Sequence, residues 1–495
     1  MNEPNPSRNF DLIRHTLGKP WREYSFTIGE GALELVVNLF AMILVERRYA
    51  QQGLGIYSYL LALFLIGGHV VEFGLCRYVE RETALHQRER SKQKEVLSNA
   101  HQAIFLLGLL FAVFCFLSAA YDAAHTRVQE NLAAYVIVGL AVPLRNLTRM
   151  RLAVLHGHGQ HERVARFKTT KRFIFIGAIF LLSTIGVAPS FLVLAFLITE
   201  FSLMVLTARK SSLPPIRNTF TDLNRLRSTL REGYMLLFTE DFFDIILYVD
   251  LLILGIFLPA WDLGVYAEAT VLARFFLLVP MSIRPIFRRK YCTFVAEKQY
   301  NTAATMVHKS AATLFFLHSL LALYLLLYFP EILHLLFRTH GEELLSYRIF
   351  TVLIPGLLFC GSVAASEPLY EAAGRLGSLR KLVVSVSLIN LVLNFYLIPF
   401  ARFFGAATAT TISTLVYFFL FGSRLEKHYR IRKGSYVLAG GAVYLTFLLV
   451  GKLNIGVTIT FFLIPLLLFS LFLSIGFFHY EPLSPQSSSG ADKTE

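Results

Sequence analysis

Fourteen stretches of mostly apolar residues follow one another along this chain of 495 residues. They lie near 24–45, 54–75, 100–121, 132–152, 172–188, 190–208, 233–257, 264–286, 308–329, 347–367, 380–399, 405–423, 434–451 and 456–478. About 20 such residues in a helix span the hydrocarbon of a bilayer. A backbone in lipid must satisfy its own polar groups, and a helix does so within one segment. The pattern predicts an all-α polytopic membrane protein with about 14 transmembrane helices. Composition agrees, with 55% of residues hydrophobic and 16% charged. A soluble chain is nearer a quarter charged, so a single soluble globule and a disordered scaffold are both excluded.

The cationic residues orient the spans. With the N-terminus placed in the cytoplasm, inward-facing segments hold 38 of the 47 Lys and Arg, and outward-facing loops hold six. Positive residues favour the cytoplasmic side, so both termini are expected there. The net charge of +14 is thus read as loops facing anionic lipid, not as a nucleic-acid surface. The first 23 residues lack an apolar core of the signal-peptide type. The Ser-rich end reads as a polar tail, and Thr219 to Glu232 as a linker or a segment on the membrane surface.

Displacing the chain by 209 residues aligns Arg22-Glu23 with Arg231-Glu232 and, without a gap, Leu54-Gly55-Ile56-Tyr57 with Leu263-Gly264-Val265-Tyr266. Gly159 and Gly374, each followed by basic residues, form a weaker match. A parallel repeat places two halves about an axis along the membrane normal, with a cavity between them. The expected organisation is a cytoplasmic segment at 1–23, a six-helix bundle at 24–208, a linker at 209–232 and a second six-helix bundle at 233–425. Two further helices occupy 426–478, and a cytoplasmic tail 479–495.

Several motifs then carry a resemblance. Arg231-Glu-Gly-Tyr234, Asp250 within Tyr-Val-Asp-Leu-Leu-Ile-Leu-Gly-Ile-Phe, and Leu263-Gly-Val-Tyr-Ala267 lie in one block. Asn390-Leu-Val-Leu-Asn394, Leu397-Ile-Pro399 and Gly405-Ala-Ala-Thr-Ala-Thr410 lie in another, with Leu155-His-Gly157 and Glu371-Ala-Ala-Gly-Arg375 as turns. In order and spacing, over roughly residues 20–425, the chain resembles the polysaccharide-transporter branch of the multidrug/oligosaccharidyl-lipid/polysaccharide exporter superfamily, relatives of O-antigen and lipid II flippases. The resemblance implies a bacterial inner-membrane flippase working by alternating access. Its cargo would be a polyprenyl-pyrophosphate-linked glycan, with membrane lipids and other polysaccharide assembly proteins as partners.

Charges at membrane depth cost several kcal/mol unless paired or wet. Three arginines, Arg145, Arg274 and Arg348, fall inside spans, and no lysine lies well inside one. A guanidinium fork suits pyrophosphate oxygens, so these three are candidate cargo ligands. Asn38, Asn390 and Asn394 are candidates for sugar hydroxyls, or for glue between helices. Glu30 and Glu34, and Glu240 and Asp244, repeat a four-residue spacing on corresponding helices. With Asp241 and Asp250 they are candidates for proton or sodium coupling, or are neutralised by arginines for structure alone. Glu72, Glu200, Glu268 and Glu367 are further carboxylates within spans. Equal depth on consecutive antiparallel helices predicts an Asp250–Arg274 salt bridge, either a fixed strut or one that opens. Pro143, Pro280, Pro285 and Pro355 are candidate kinks.

Other chemistry is not indicated. Cys76, Cys115, Cys292 and Cys360 match neither a disulfide framework nor a metal spacing. His156, His158 and His161 read as a solvated basic loop, not a metal centre. There is no Walker A loop, Gly-rich dinucleotide loop or HExxH motif, and no cofactor or catalytic residue is expected beyond a coupling ion. The rival readings are a multidrug/cation antiporter of the same superfamily and a membrane polysaccharide polymerase, ligase or glycosyltransferase. The last is disfavoured by the shortness of the longest outward loop, near 329–346.

Overall fold

The computed structural model describes residues 6–87, 89–125, 132–210, 223–237, 242–337 and 343–429. No strand occurs among them. The helices are α1 (Pro6–Glu72), α2 (Leu75–Leu85), α3 (Arg90–His125), α4 (Leu132–Gly157), α5 (His161–Ile185), α6 (Leu194–Lys210), α7 (Leu223–Leu236), α8 (Phe242–Phe257), α9 (Ala260–Ala296), α10 (Tyr300–Leu336), α11 (Glu343–Val363), α12 (Glu367–Ala372) and α13 (Leu376–Tyr429). Six helical segments of the described residues are long and apolar enough to cross a membrane. Over its described residues each of the first twelve expected stretches lies mainly on helix; residues 238–241 of the seventh, and the stretches at 434–451 and 456–478, lie outside the described residues.

Two of the longest helices fold back on themselves. In α1 the break is Ala50, with φ 54 and ψ −168. Arg172 pairs with Glu34 before it, while Phe64 after it stacks on Phe196, which in turn stacks on Phe175 three residues along from Arg172. The two limbs of α1 therefore run antiparallel past α5. In α13 the break is Arg402 (φ 52), and Asn390 bonds to Thr410 across it. The four prolines expected to kink helices do not coincide with these breaks. Pro143 and Pro355 sit inside continuous α4 and α11, and α9 runs unbroken past Pro280 and Pro285. Gly108 makes room for the Pro143 ring, which a Cβ there would meet at 2.8 Å.

Helices α1 to α6 pack among themselves, as do α8 to α13, and the principal contact between the two sets is α1 with α9. The turns alternate between two faces. One, here called the basic face, carries the turns near 86–89, 157–160, 296–299 and 373–375 together with α7; the far face carries Ala50, 186–188, 257–259 and Arg402. Gly159 and Gly374, the weaker of the repeat matches, both turn on the basic face with φ +72 and +69.

Far-face packing is close enough to require glycine. A Cβ on Gly55 would collide with the Ala260 carbonyl, and one on Gly264 with the Gln51 carbonyl. Gly255 likewise lies against the Tyr59 ring, and Arg47 donates to the Leu335 carbonyl at 3.4 Å. The two halves are thus shut against each other on this side.

Candidate functional site

Asp250 is wholly buried in α8. Its oxygens accept from the Tyr266 hydroxyl at 2.6 Å, the Thr410 hydroxyl at 2.6 Å and the Asn394 amide at 2.7 Å. Asn394 also donates to the Asn390 side-chain oxygen at 3.0 Å, and Asn390 donates to the Thr410 hydroxyl at 3.1 Å. Three helices therefore converge on one carboxylate, with both limbs of α13 contributing. The Asn394 side-chain oxygen, also buried, accepts no hydrogen bond. The result is a compact set of oxygens around one negative charge, shut inside the second half.

This corrects one expectation and separates two readings of the asparagines. The Asp250–Arg274 salt bridge is absent, because Asp250 is saturated by neutral donors and Arg274 turns elsewhere. Asn390 and Asn394, read as sugar contacts or as glue between helices, are buried and bonded within the carboxylate centre, the arrangement of glue. Tyr266 and Thr410 were not singled out as site residues, although both lie in motifs quoted above. The 209-residue shift pairs Asp250 with Ala41 and Tyr266 with Tyr57, so the first half keeps the tyrosine and lacks the acid.

Arg274 lies over the Tyr248 ring, 3.7 Å from its centroid. The residue is 6% exposed, and its Nε and Nη2 have no hydrogen-bond partner among the described residues. A buried guanidinium with free donors is a costly arrangement, and it suits an incoming anion. Arg145, also buried, donates to the Leu65 carbonyl at 3.2 Å, and its Nη1 fills the space over Gly68. Leu65 is the residue that the repeat pairs with Arg274, so the guanidinium of Arg145, reaching from α4, meets α1 at the position equivalent to Arg274 on α9. Arg348 is exposed on α11, contrary to expectation; it lies in the second turn of that helix, where a long side chain reaches the surface. Asn38 is half-buried in the first limb of α1.

Of the paired carboxylates, Glu34 is exposed and bound to Arg172 at 3.0 Å, the neutralised arrangement. Glu240 and Asp241, and the side chains of Glu30 and Asp244, lie outside the described residues.

Two further ion pairs join corresponding helices of the two halves. Arg149 of α4 pairs with Glu72 of α1 at 2.7 Å. In the second half Arg284 of α9 pairs with Glu367 of α12, and one helical turn on, Arg288 pairs with Glu371 at 2.9 Å. The Tyr417 hydroxyl also donates to Glu367. The equal four-residue spacing of Arg284 and Arg288 and of Glu367 and Glu371 was the available sequence signal for this ladder. In the first half Glu200 is buried between the Lys171 ammonium and the Thr148 hydroxyl. Among the described residues no group of three or more His, Cys, Asp or Glu is placed to hold a metal ion.

The sequence profile of the polysaccharide biosynthesis protein family matches residues 33–289, just over half of the chain. The chain belongs to that family. This member's fold is similar to a lipid II flippase, MurJ, in an inward closed conformation, with TM-score 0.63 and 15% identity over 91% of this chain and 97% of that one. An inward-facing multidrug resistance transporter of the MATE family, in the MOP superfamily, matches with TM-score 0.63 and 13% identity over 80% and 95%. A MOP superfamily transporter from Pyrococcus furiosus matches with TM-score 0.56 and 12% identity over 82% and 95%. No curated protein sequence matches the chain. At such identities the likeness is one of fold: this is a multi-pass membrane protein built as the MOP transporters are.

Proposed function

We propose that the chain is a flippase that carries a polyprenyl-pyrophosphate-linked oligosaccharide from the cytoplasmic to the outer leaflet by alternating access, in cell-surface polysaccharide biosynthesis. The observation that carries this reading is Arg274, buried and stacked on Tyr248 with two nitrogens unpartnered. A pyrophosphate oxygen supplies what those donors lack, and the aromatic face beneath holds the fork in place for bidentate contact. Arg145 is the second cargo residue in this proposal, drawn from the Leu65 carbonyl when an anion arrives. Family membership supports a place in polysaccharide assembly, and the MOP fold supports transport.

Asp250 is proposed as the coupling centre. A carboxylate with four neutral oxygen-bearing side chains about it exchanges a proton or accepts a sodium ion, the hydroxyl hydrogens turning aside. With Ala41 at the equivalent position, the first half lacks this acid. The basic face is assigned to the cytoplasm of a bacterial inner membrane, by the distribution of Lys and Arg.

A multidrug/cation antiporter is the competing reading, favoured by Asp250 and by the fold shared with a MATE-family transporter. An unpaired buried arginine repels a cationic drug, which favours the anionic cargo. Reconstitution in liposomes with labelled polyprenyl-pyrophosphate glycans, under imposed proton or sodium gradients, tests the proposal. Leaflet exchange that needs Arg274 supports it; export of organic cations without glycan exchange rejects it.

A further inference from the structure

Between α1 and α2 the chain passes through two consecutive residues of positive φ, Phe73 at 48 and Gly74 at 74. A left-handed phenylalanine is a strained backbone, and such residues persist only where their surroundings impose them. Nothing corresponding happens in the second half, where α9 continues unbroken over the equivalent stretch. The break is thus peculiar to one half of a repeated fold, and an explanation must come from what touches it.

What touches it is α7. A Cβ on Gly74 would collide with the Gly233 carbonyl, and one on Gly233 would come 2.7 Å from the Phe73 carbonyl. The two backbones therefore meet directly, through glycine on both sides. Around this point the Phe73 ring stacks on Tyr234, with centroids 6.0 Å apart and planes 27° from parallel. Arg81 of α2 donates to Glu232 at 3.0 Å, and Arg225 to Glu95 of α3 at 2.6 Å. Although α7 leads into α8 of the second half, its packing is chiefly on α2 and α3 of the first. Its hold on the second half passes through Arg380 of α13, which donates to the Tyr234 carbonyl at 3.3 Å and lies 4.6 Å from the centre of its ring. One tyrosine is therefore gripped from both halves.

We propose that α7 is the gate on the basic face: it clasps the bent junction of α1 and α2, and this clasp must part before the halves can separate there. The interactions suit a latch. The ion pairs are half-exposed and individually weak in water, so they break without a large barrier. The strained Phe73–Gly74 junction gives α2 a point about which to swing. The far face, by contrast, is shut chiefly by backbone packing at Gly55 and Gly264, so the two sides close by different means. This inference rests on the alternating-access reading, but its principal test needs no cargo.

The test uses the full chain with Cys292, its one exposed cysteine, replaced by serine. Spin labels are placed at Ala84→Cys on α2 and Ser228→Cys on α7, both exposed, and distances are measured by pulsed electron paramagnetic resonance. Two populations are expected, the shorter matching this structure. Arg81→Glu should enlarge the longer population, and Arg81→Glu with Glu232→Arg should return it towards the starting ratio. In a separate protein, Arg81→Cys and Glu232→Cys are joined by a cleavable bifunctional maleimide. Transport of labelled polyprenyl-pyrophosphate glycan should fall about tenfold or more when the open state is withheld, and recover when the linker is cut. A single short distance insensitive to charge reversal overturns the gate, as does a linked protein that transports at the unlinked rate. A clasp that opens in a protein that moves no glycan leaves the gate standing and rejects the cargo reading.

Discussion

Gly55 and Gly264, which the 209-residue shift superposes, lie against each other where α1 meets α9: a Cβ on Gly55 would come 2.9 Å from the Gly264 nitrogen. Residues that are equivalent in two repeats meet only near the axis relating them. Small residues there let two membrane helices approach to backbone contact, which is the main source of attraction between helices in lipid. The pair is therefore both a marker of pseudo-symmetry and the seal of the far face.

Valine at either glycine should pry this seal apart. Overpacking a tight contact costs about 1–3 kcal/mol, and here the opposing atoms are backbone carbonyls, which cannot rotate away. Gly55→Val and Gly264→Val are expected to lower the thermal midpoint in detergent and to raise far-face reactivity of a cysteine at Tyr59 towards an impermeant maleimide. Unchanged melting and reactivity in both would mean that the halves do not touch there.

The ion pairs Glu72–Arg149 and Arg284–Glu367 tie corresponding helices with the charges exchanged between halves. Since the fold accommodates either polarity, the order of charges is not itself required. Glu367→Ala should cost about 3–5 kcal/mol, because Arg284 is left charged and buried. Arg284→Glu combined with Glu367→Arg should recover most of that loss. The check is a double-mutant cycle of thermal or denaturant unfolding; a swap no better than the single variants would show that side-chain shape, not charge pairing, holds this junction.

Much of this architecture was legible because hydrophobic length is a one-dimensional property. Reversals at Ala50 and Arg402 fall between expected spans, and the tetrads Leu54–Tyr57 and Leu263–Tyr266 mark equivalent places. Burial was legible too: Asp250 and Arg274, read as charges within spans, are both buried. Azimuth was not. A sequence gives the height of a residue along a helix but not which neighbour it faces, so Asp250 was assigned to the arginine at its own height. It instead meets Asn394 and Thr410, more than 140 residues away. The same gap hid the role of α7, whose basic composition reads as a linker while its Gly233 contact is purely spatial.

Gly159 and Gly374 offer a cleaner test, because nothing lies within 4 Å of where their Cβ would be. Only the left-handed backbone demands glycine there. Alanine at either site should cost about 1–2 kcal/mol through conformation alone, with similar values at the two positions. Unfolding of Gly159→Ala and Gly374→Ala measures this, and widely different losses would mean that the two turns are not equivalent.

Asp250→Asn should separate movement from coupling. The amide offers one acceptor where the carboxylate offers two, so its nitrogen faces a donor among Tyr266, Thr410 and Asn394. Exchange of labelled glycan in liposomes is expected to lose its response to a proton or sodium gradient. Tyr266→Phe removes one hydrogen bond, costing about 1 kcal/mol, and should retain the response. Full gradient dependence in Asp250→Asn would place coupling elsewhere.

Arg274 separates a ligand from a strut, since the two roles have opposite signs in stability. A strut would leave a buried partner exposed when removed, whereas Arg274 has two nitrogens without one. Arg274→Ala should therefore leave the thermal midpoint of the cargo-free protein unchanged or raise it, while glycan exchange falls about tenfold or more, the loss of one charge-assisted contact. Arg274→Lys keeps the charge but loses the planar stack on Tyr248 and the fork, so it should rescue exchange poorly. Adding labelled polyprenyl-pyrophosphate glycan should stabilise the wild-type protein and not the Arg274→Ala variant, because a ligand stabilises only the form that binds it. A large drop in midpoint for Arg274→Ala without cargo, with glycan still stabilising the variant, would return this arginine to a structural role.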